Sequence, residues 1–288
     1  MTTNLLIAIQ NIVSVTQHQT QSRTVMGKNR INHVGIALET FIKDAFAGTL
    51  YLEDEIIKAE RYQAVFSYLG NTNNPPDMML HGGDAIEVKK IESKNSALAL
   101  NSSYPKAKLY SDSLMINKAC RTCEDWNMKD SLYTVGTVQG TALKTLWFVY
   151  GDCYAADKEV YERIKNTISA GIQTIPNIEF DVKTKELGKV HKVDPLGITD
   201  LRIRGMWHIA HPNKVYEALL NYPNKTGFKL FCLMRKEKFD SFDDTSKAVI
   251  QALVTQDIGF LMRDVKIKNP NNPAQLLDAV FMEYYAHE

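Results

Sequence analysis

The sequence predicts a single α/β domain built on a central mixed β-sheet flanked by helices. Three observations carry this reading. Short strand candidates of period 2 alternate with helical patterns of period 3.6 along the chain. The 288 residues are 44% apolar and 23% charged, enough for one large core. No flexible linker is long enough to mark a domain boundary. The C-terminal part therefore reads as an elaboration of the same domain.

Each element has a local reason. MTTNLLIAIQNIVSV reads as an amphipathic first helix. It lacks the basic start and small-residue cleavage site of a secretory signal. In residues 33–47, Val34, Leu38, Phe41, Ile42, Ala45 and Phe46 share one helical stripe, and Gly48 is a stop signal. Residues 53–69 read as a second helix. The run from Gly70 to Pro76 breaks regular structure. A hairpin follows from Pro76 to Ile91, with PDMML and DAIEVKKI joined through HGG. Residues 92–108 are polar and loop-like. Residues 111–126 read as a helix with Ser111 or Ser113 as N-cap. Strands are expected at 131–138 and 144–151, then a helix at 157–171 ending on Gly171. Beyond it, ITDLRIRGMW, FKLFCLMR and LLDAVFMEYY read as strands, and NKVYEALLNY and TSKAVIQALV as helices.

Composition narrows the function classes. No run of about 18 apolar residues exists, so no membrane-spanning helix is expected. Four cysteines are too few for a disulfide framework. Cys120 and Cys123 form one CxxC without a second pair for zinc, so a reduced, cytoplasmic chain is expected. His208 and His211 straddle a segment ending in Pro212 and read as ordinary histidines. No GxxxxGK[ST] loop and no GxSxG elbow occur, so neither a nucleotide cofactor nor a serine hydrolase is expected. The net charge of +1 excludes a uniformly basic coat for nucleic acid.

The chemistry-bearing segment is Pro76-Asp77, nine residues, then Glu87-Val88-Lys89. In a strand, Glu87 and Lys89 point one way, and Ile86 and Val88 point the other way into a core. Glu and Lys on a strand of a buried sheet are costly unless they are used. Two nearby carboxylates make a hard oxygen site suited to Mg2+. A lysine beside them can orient a water or stabilise developing negative charge. Together these are the equipment of metal-assisted phosphodiester hydrolysis. Asp77 faces Glu87 only if the hairpin pairing is centred on Gly82. That requires an odd loop such as His81-Gly82-Gly83, with Gly83 able to take the left-handed conformation, or a bulge. A two-residue Gly-Gly turn would pair Asp77 with Val88 instead. Asp84 reads as a turn-former that replaces Asp77 only in another register.

This pattern resembles the PD-(D/E)xK nuclease superfamily. The longer string PPDMMLHGGDAIEVKKIESKNSALALNSSYPKAKL is similar to the NgoPII-type restriction endonucleases. So are NRINHVGIALETFIKDAF upstream and KELGKVHKVDPLGITDLRIRGMW downstream, which spreads the resemblance over nearly the full length. The resemblance implies a type II restriction endonuclease with the PD-(D/E)xK nuclease fold. It implies a bacterial homodimer that cuts double-stranded DNA at GGCC with Mg2+ and leaves a 5′-phosphate and a 3′-hydroxyl. It puts Asp77, Glu87 and Lys89 in the catalytic triplet, with Asp77 and Glu87 as metal ligands. It adds Glu39 as an acid from the preceding helix, with Asp44 as its rival. It also suggests a catalytic core over about 28–172 and a DNA-recognition elaboration over about 173–288.

Local charge supports a DNA-holding cleft despite the neutral sum. Residues 86–108 hold Lys89, Lys90, Lys94, Lys106 and Lys108 against Glu87 and Glu92. Lys94 and Ser96, with Asn101 and Ser102, supply phosphate donors beside the catalytic strand. Arg202 and Arg204 share one strand face and suit guanine O6 and N7, while Trp207 could pack against the duplex. Arg30 and Asn32 form a second candidate contact. A palindromic target implies a twofold-symmetric dimer. The alternatives are a repair or structure-selective nuclease of the same superfamily and a non-catalytic DNA-binding protein on that fold.

Overall fold

The computed structural model describes residues 3–21, 38–71, 74–93, 95–175, 179–180, 186–220, 227–256 and 258–286. Arg30, Asn32 and Lys94 lie outside these residues, as does the start of the helical stripe at Val34. Helix α1 (Leu5–Gln21) opens the chain, capped by Asn4, whose side chain accepts from the Leu6 and Ile7 N–H groups. It packs on α2 (Leu38–Ala47), burying Leu5, Ile9 and Ile12 in the same core as Phe41, Ile42 and Phe46. Helix α3 (Glu55–Val65) starts at Asp54, whose carboxylate takes the Ile56 and Ile57 N–H groups.

The expected helix over 53–69 is shorter than its sequence pattern. Residues Phe66–Asn71 leave it to form strand β1, because they pair with β2 (Asn74–Leu80). Tertiary pairing overrides local propensity there. Strand β3 (Ala85–Ile91) completes the hairpin. Strands β4 (Leu98–Ala99) and β5 (Lys108–Tyr110) break up the polar stretch read as loop. The helix expected over 111–126 is reduced to α4 (Lys118–Thr122), and its cap is Asn117 rather than Ser111 or Ser113. Two long strands follow, β6 (Met128–Gln139) and β7 (Ala142–Tyr150), then helices α5 (Gly151–Tyr154) and α6 (Lys158–Ile172).

Strands β8 (Glu179–Phe180), β9 (Gly188–His191) and β10 (Leu201–Ile203) form a small separate sheet. Strand β11 (His208–Ile209) pairs with β4, so ITDLRIRGMW yields one short strand and leads into another. NKVYEALLNY gives only the short helix α7 (Pro212–Val215) and a 3-10 turn. Strand β12 (Lys229–Arg235), helix α8 (Lys236–Asp240) and helix α9 (Asp244–Thr255) come next. The chain ends in a long hairpin of β13 (Phe260–Asn269) and β14 (Asn272–Tyr285). Strand β13 lacks a continuous apolar alternation and was not legible as a strand.

Among the described residues, the main sheet runs β1-β2-β3-β6-β7-β12-β14-β13, with β5 attached to β6. It is mixed: β3 pairs in parallel with β6, and β7 with β12, while the other neighbours are antiparallel. Strands from both sides of residue 172 thus share one sheet. Its centre is the stack of Trp147, Phe231 and Phe281, with Trp147 and Phe231 ring centroids 4.9 Å apart.

A buried polar knot ties the hairpin to the C-terminal strands. Asp84, 4% exposed, accepts from the Tyr150 hydroxyl at 2.6 Å and from Lys238 Nζ at 2.8 Å. Lys238 also bonds Asp130 at 2.6 Å, and Asp130 pairs with Lys108. Burial alone would lower the Lys238 ammonium, but Asp84 and Asp130 outweigh it and hold it above its usual value. Removing the lysine leaves the shielded Asp84 without a counter-charge and Asp130 with Lys108 alone. Lys238→Met is therefore expected to lower unfolding free energy by about 3 kcal/mol in urea titrations. A loss under about 0.5 kcal/mol, the size of an ordinary surface change, would show that the knot is not structural.

Candidate nuclease site

The site starts from the register of the β2–β3 hairpin. Met78 pairs with Ile86 and Met79 with Ala85, and Leu80 N–H donates to Asp84 C=O at 3.0 Å. The pairing is centred on Gly82, and the loop is the odd one, His81-Gly82-Gly83. Gly83 N–H closes a turn on Leu80 C=O, and the residue with positive φ is Gly82 (62°), not Gly83 as expected. It occupies the turn position that needs left-handed backbone. Two charged groups hold this turn. Lys129, buried, donates to the carbonyls of Leu80 (3.0 Å) and Gly83 (2.8 Å), and Glu124 accepts the Gly82 N–H at 2.9 Å. Neither residue was singled out from the sequence, since Glu124 lies 42 residues away in a stretch read as helix and Lys129 up to 49 residues away between that helix and the next expected strand.

Asp77 and Glu87 stand one step beyond the last ladder pair, Met78–Ile86, where the same register puts them on one face of the sheet. The Val88 N–H donates to Asp77 Oδ2 at 2.6 Å, so the Asp77 side chain takes a donor beyond the last paired residues. Lys89 Nζ donates to Glu87 Oε1 at 2.6 Å, and both side chains are 21% exposed. Ile86 is fully buried and Val88 packs on the core, as the pleat requires. Asp77 Oδ1 and Glu87 Oε2 have no hydrogen-bond partner among the described residues, so each carboxylate keeps one oxygen for a ligand. Gly70 makes room for this arrangement. A Cβ there would lie 2.4 Å from Pro76 O and 2.8 Å from Asp77 O.

The electrostatics are strained in a definite direction. Burial, and then the Glu87 carboxylate, push the Asp77 carboxyl up to about 7. Burial would depress Lys89, but Glu87 and Asp77 more than offset it, so it stays a cation at neutral pH. Lys106 is half-buried near Glu87, with Nζ on the Ser103 hydroxyl and 3.4 Å from Tyr104 O. Burial lowers it to about 8.

The other sequence candidates divide clearly. A cleft of about 460 Å³ is lined by Asp77, Glu87 and Lys89 together with Asn101, Ser102, Arg202 and Arg204. Glu39 is exposed on α2, which lies against β3, and its charge reaches Asp77; it pairs with Lys43 at 2.7 Å. Its rival Asp44 is buried and accepts from Thr49, Tyr62 and Lys58, which makes it a structural anchor. Ser96 does not line the cleft; its N–H bonds Ser93 O. Trp207 does not line it either. Its ring packs edge-on against Tyr161 and Tyr104 at centroid distances of 5.6 and 6.3 Å, because the apolar surface finds an aromatic pocket. Its backbone bonds Leu100 and Asn101, which fastens the Arg204 segment to the Asn101–Ser103 turn. Asp84 belongs to the buried knot, so it does not substitute for Asp77. His211 is buried and held to about 4 by that burial, with its ring bonded to Thr137 and the Asn213 N–H. Cys120, Cys123, Cys153 and Cys232 are free thiols.

The donor set suits magnesium in its usual manner, with one or two carboxylates and the rest of the shell from water and phosphate. Among the described residues no group of three or more His, Cys, Asp or Glu side chains is gathered for a metal. The carboxylate pair thus leaves the rest of a coordination shell to water and phosphate.

The raised Asp77 predicts a trade of stability against function. Its folded value, about 7, lies above the ordinary 3.8, so the folded site is penalised once Asp77 ionises. Asp77→Asn is expected to melt higher than the parent in EDTA above about pH 7. The gain should shrink as pH falls from about 7 toward 3.8, where the parent is protonated. Equal melting temperatures at pH 8 would contradict the raised value.

The chain has relatives among known proteins. A profile of the NgoPII restriction endonuclease family matches residues 3–268. The chain is 46% identical over 283 residues to the type II restriction enzyme NgoPII of Neisseria gonorrhoeae, covering 98% of this chain and 99% of that protein. No solved structure matches it. With a full-length relative and a family profile over most of its residues, the chain belongs to the NgoPII restriction endonuclease family.

Proposed function

We propose that this protein makes double-strand cuts in DNA at GGCC by magnesium-dependent phosphodiester hydrolysis, with Asp77, Glu87 and Lys89 as its centre. One observation carries the assignment of the centre. The odd hairpin register sets Asp77 beside Glu87 with Lys89 bonded to it, inside a cleft shared with Arg202, Arg204, Asn101 and Ser102. Family membership supports the class of reaction, that of a type II site-specific deoxyribonuclease. An antiparallel hairpin running into a parallel neighbour in a mixed sheet supports the PD-(D/E)xK fold.

In this reading Asp77 and Glu87 would hold the magnesium, one ion or two, through their unpartnered carboxylate oxygens. When bound, magnesium supplies positive charge at the phosphoryl oxygens. Lys89 remains protonated, so it orients the attacking water and stabilises negative charge rather than taking a proton. Glu39 adds negative potential from α2 that favours the metal. Asn101 and Ser102 hold backbone phosphates, and Arg202 and Arg204 read base edges. Residues about 28–172 carry the cutting centre, and the later segment supplies the readers. Each chain carries one centre, so cutting both strands of a palindrome calls for a homodimer. Among the described residues no helix is long and apolar enough to cross a membrane, which fits work on DNA in the bacterial cytoplasm.

Glu87→Ala and Lys89→Ala are expected to abolish cleavage of plasmid DNA while specific binding in calcium persists. Near-parental cutting by Glu87→Ala would overturn the centre. Glu39→Ala should cut on the order of tenfold to a hundredfold more slowly at low magnesium and recover as magnesium is raised. Sequencing the fragment ends of a magnesium digest tests the target: ends outside GGCC would overturn that part alone.

A further inference from the structure

The cleft holds a carboxylate that the proposed chemistry does not use. Glu186 lines it together with Arg202 and Arg204, across from Asp77, Glu87 and Lys89. Its side chain is 10% exposed, whereas those of Arg202 and Arg204 are 57% and 58% exposed. Arg202 Nε donates to Glu186 Oε2 at 3.0 Å and Arg202 Nη2 to Oε1 at 2.5 Å. Arg204 Nε donates to the same Oε1 at 2.7 Å. Both guanidinium groups are thus gripped along the Nε edge by one shielded acid.

Which edge is gripped decides what remains. A guanidinium carries five N–H donors in a fixed plane. The contacts to Glu186 use the Nε side and leave the far end of each fork, the outward N–H bonds of Nη1 and Nη2. That end-on pair matches two adjacent acceptors, such as guanine O6 and N7. Among the described residues these outer donors have no partner. The short two-residue spacing puts both arginines on one strand face, so a single carboxylate can hold both planes. A mere plug would be expected to fill the outward end of the fork, and Glu186 leaves it open.

We propose that Glu186 is a specificity-determining positioning residue: it fixes the planes of Arg202 and Arg204 so that their free ends meet guanine edges and not stray phosphates. This rests on the reading of the cleft as a DNA-cutting site. Freed from the acid, two flexible arginines would still bind phosphate, so general affinity survives while base discrimination falls. The two arginines pull the Glu186 carboxyl below its usual range, Arg202 first, so it is an anion at any pH where the enzyme is assayed.

The test compares the wild-type protein with Glu186→Gln and Glu186→Asp in calcium, without cleavage. Each binds a duplex containing the site mapped from the wild-type fragment ends, and a scrambled duplex of equal length. For Glu186→Gln, affinity for the mapped site is expected to fall roughly tenfold to a hundredfold while affinity for the scrambled duplex is unchanged or rises. Glu186→Asp, which keeps both acceptor oxygens, should recover part of the ratio. Melting temperatures exclude a folding defect as the cause. Equal changes on both duplexes, in either direction, would overturn the positioning role, as would an unchanged ratio. If the wild-type protein itself shows no preference for any duplex, the DNA-cutting reading fails instead, and the two failures are distinct.

Discussion

Everything at the candidate centre depends on the parity of one loop. A pleated strand alternates its side chains, so a hairpin shifted by a single residue sends a whole row of side chains to the other face. Three loop residues, with Gly82 at positive φ, put Asp77 and Glu87 on one face and Ile86 and Val88 on the other. The molecule spends several groups on enforcing that parity. Lys129 and Glu124 grip the turn from outside, and Asp84 pins its base to Tyr150 and Lys238. A hairpin so tightly held is a rigid platform, and rigidity is what a metal-dependent hydrolytic site needs from its ligands.

The charges near the centre follow one logic. Two carboxylates are held close together at a half-buried site, and burial first, then the neighbouring Glu87 charge, keeps Asp77 partly protonated near neutrality. The lysine beside them is fixed as a cation by the same field. Farther along the cleft the signs reverse, and two exposed arginines are steered by a shielded glutamate. A near-neutral chain can thus present a locally basic wall, because its acids are committed to particular partners.

The local parts of this design were legible in the sequence, and the distant ones were not. Asp77, Glu87 and Lys89, the odd loop, and the shared face of Arg202 and Arg204 all follow from short-range spacing. The central strands at 131–138 and 144–151 were visible as apolar runs. The helices over 53–69 and 111–126 were overdrawn, because pairing partners far along the chain decide where a helix yields to strand or turn. Strand β13 was missed because half of its residues stay exposed and its apolar positions carry no clean alternation. Trp207 read as a side chain for packing on the duplex, and the aromatic neighbours that hold its ring, Tyr104 and Tyr161, come from other segments. Glu186 was visible only as one acid in a basic stretch; its role depends on side-chain orientation. Fold and function could be told apart here: the family is fixed by sequence relationship, and the placement of individual side chains by the three-dimensional pairing.

The salt bridge between Asp84 and Lys238 spans 154 residues. On a ribosome the hairpin emerges long before its cation does. Until β12 and α8 follow, the base of the candidate centre carries a carboxylate without its partner, and the sheet lacks the strands that continue it beyond β7. A chain stopped before Lys238 therefore lacks the cation that pairs Asp84 at the base of the candidate centre. Such late completion works as a form of timing: the candidate centre is finished only with roughly the last fifth of the polypeptide.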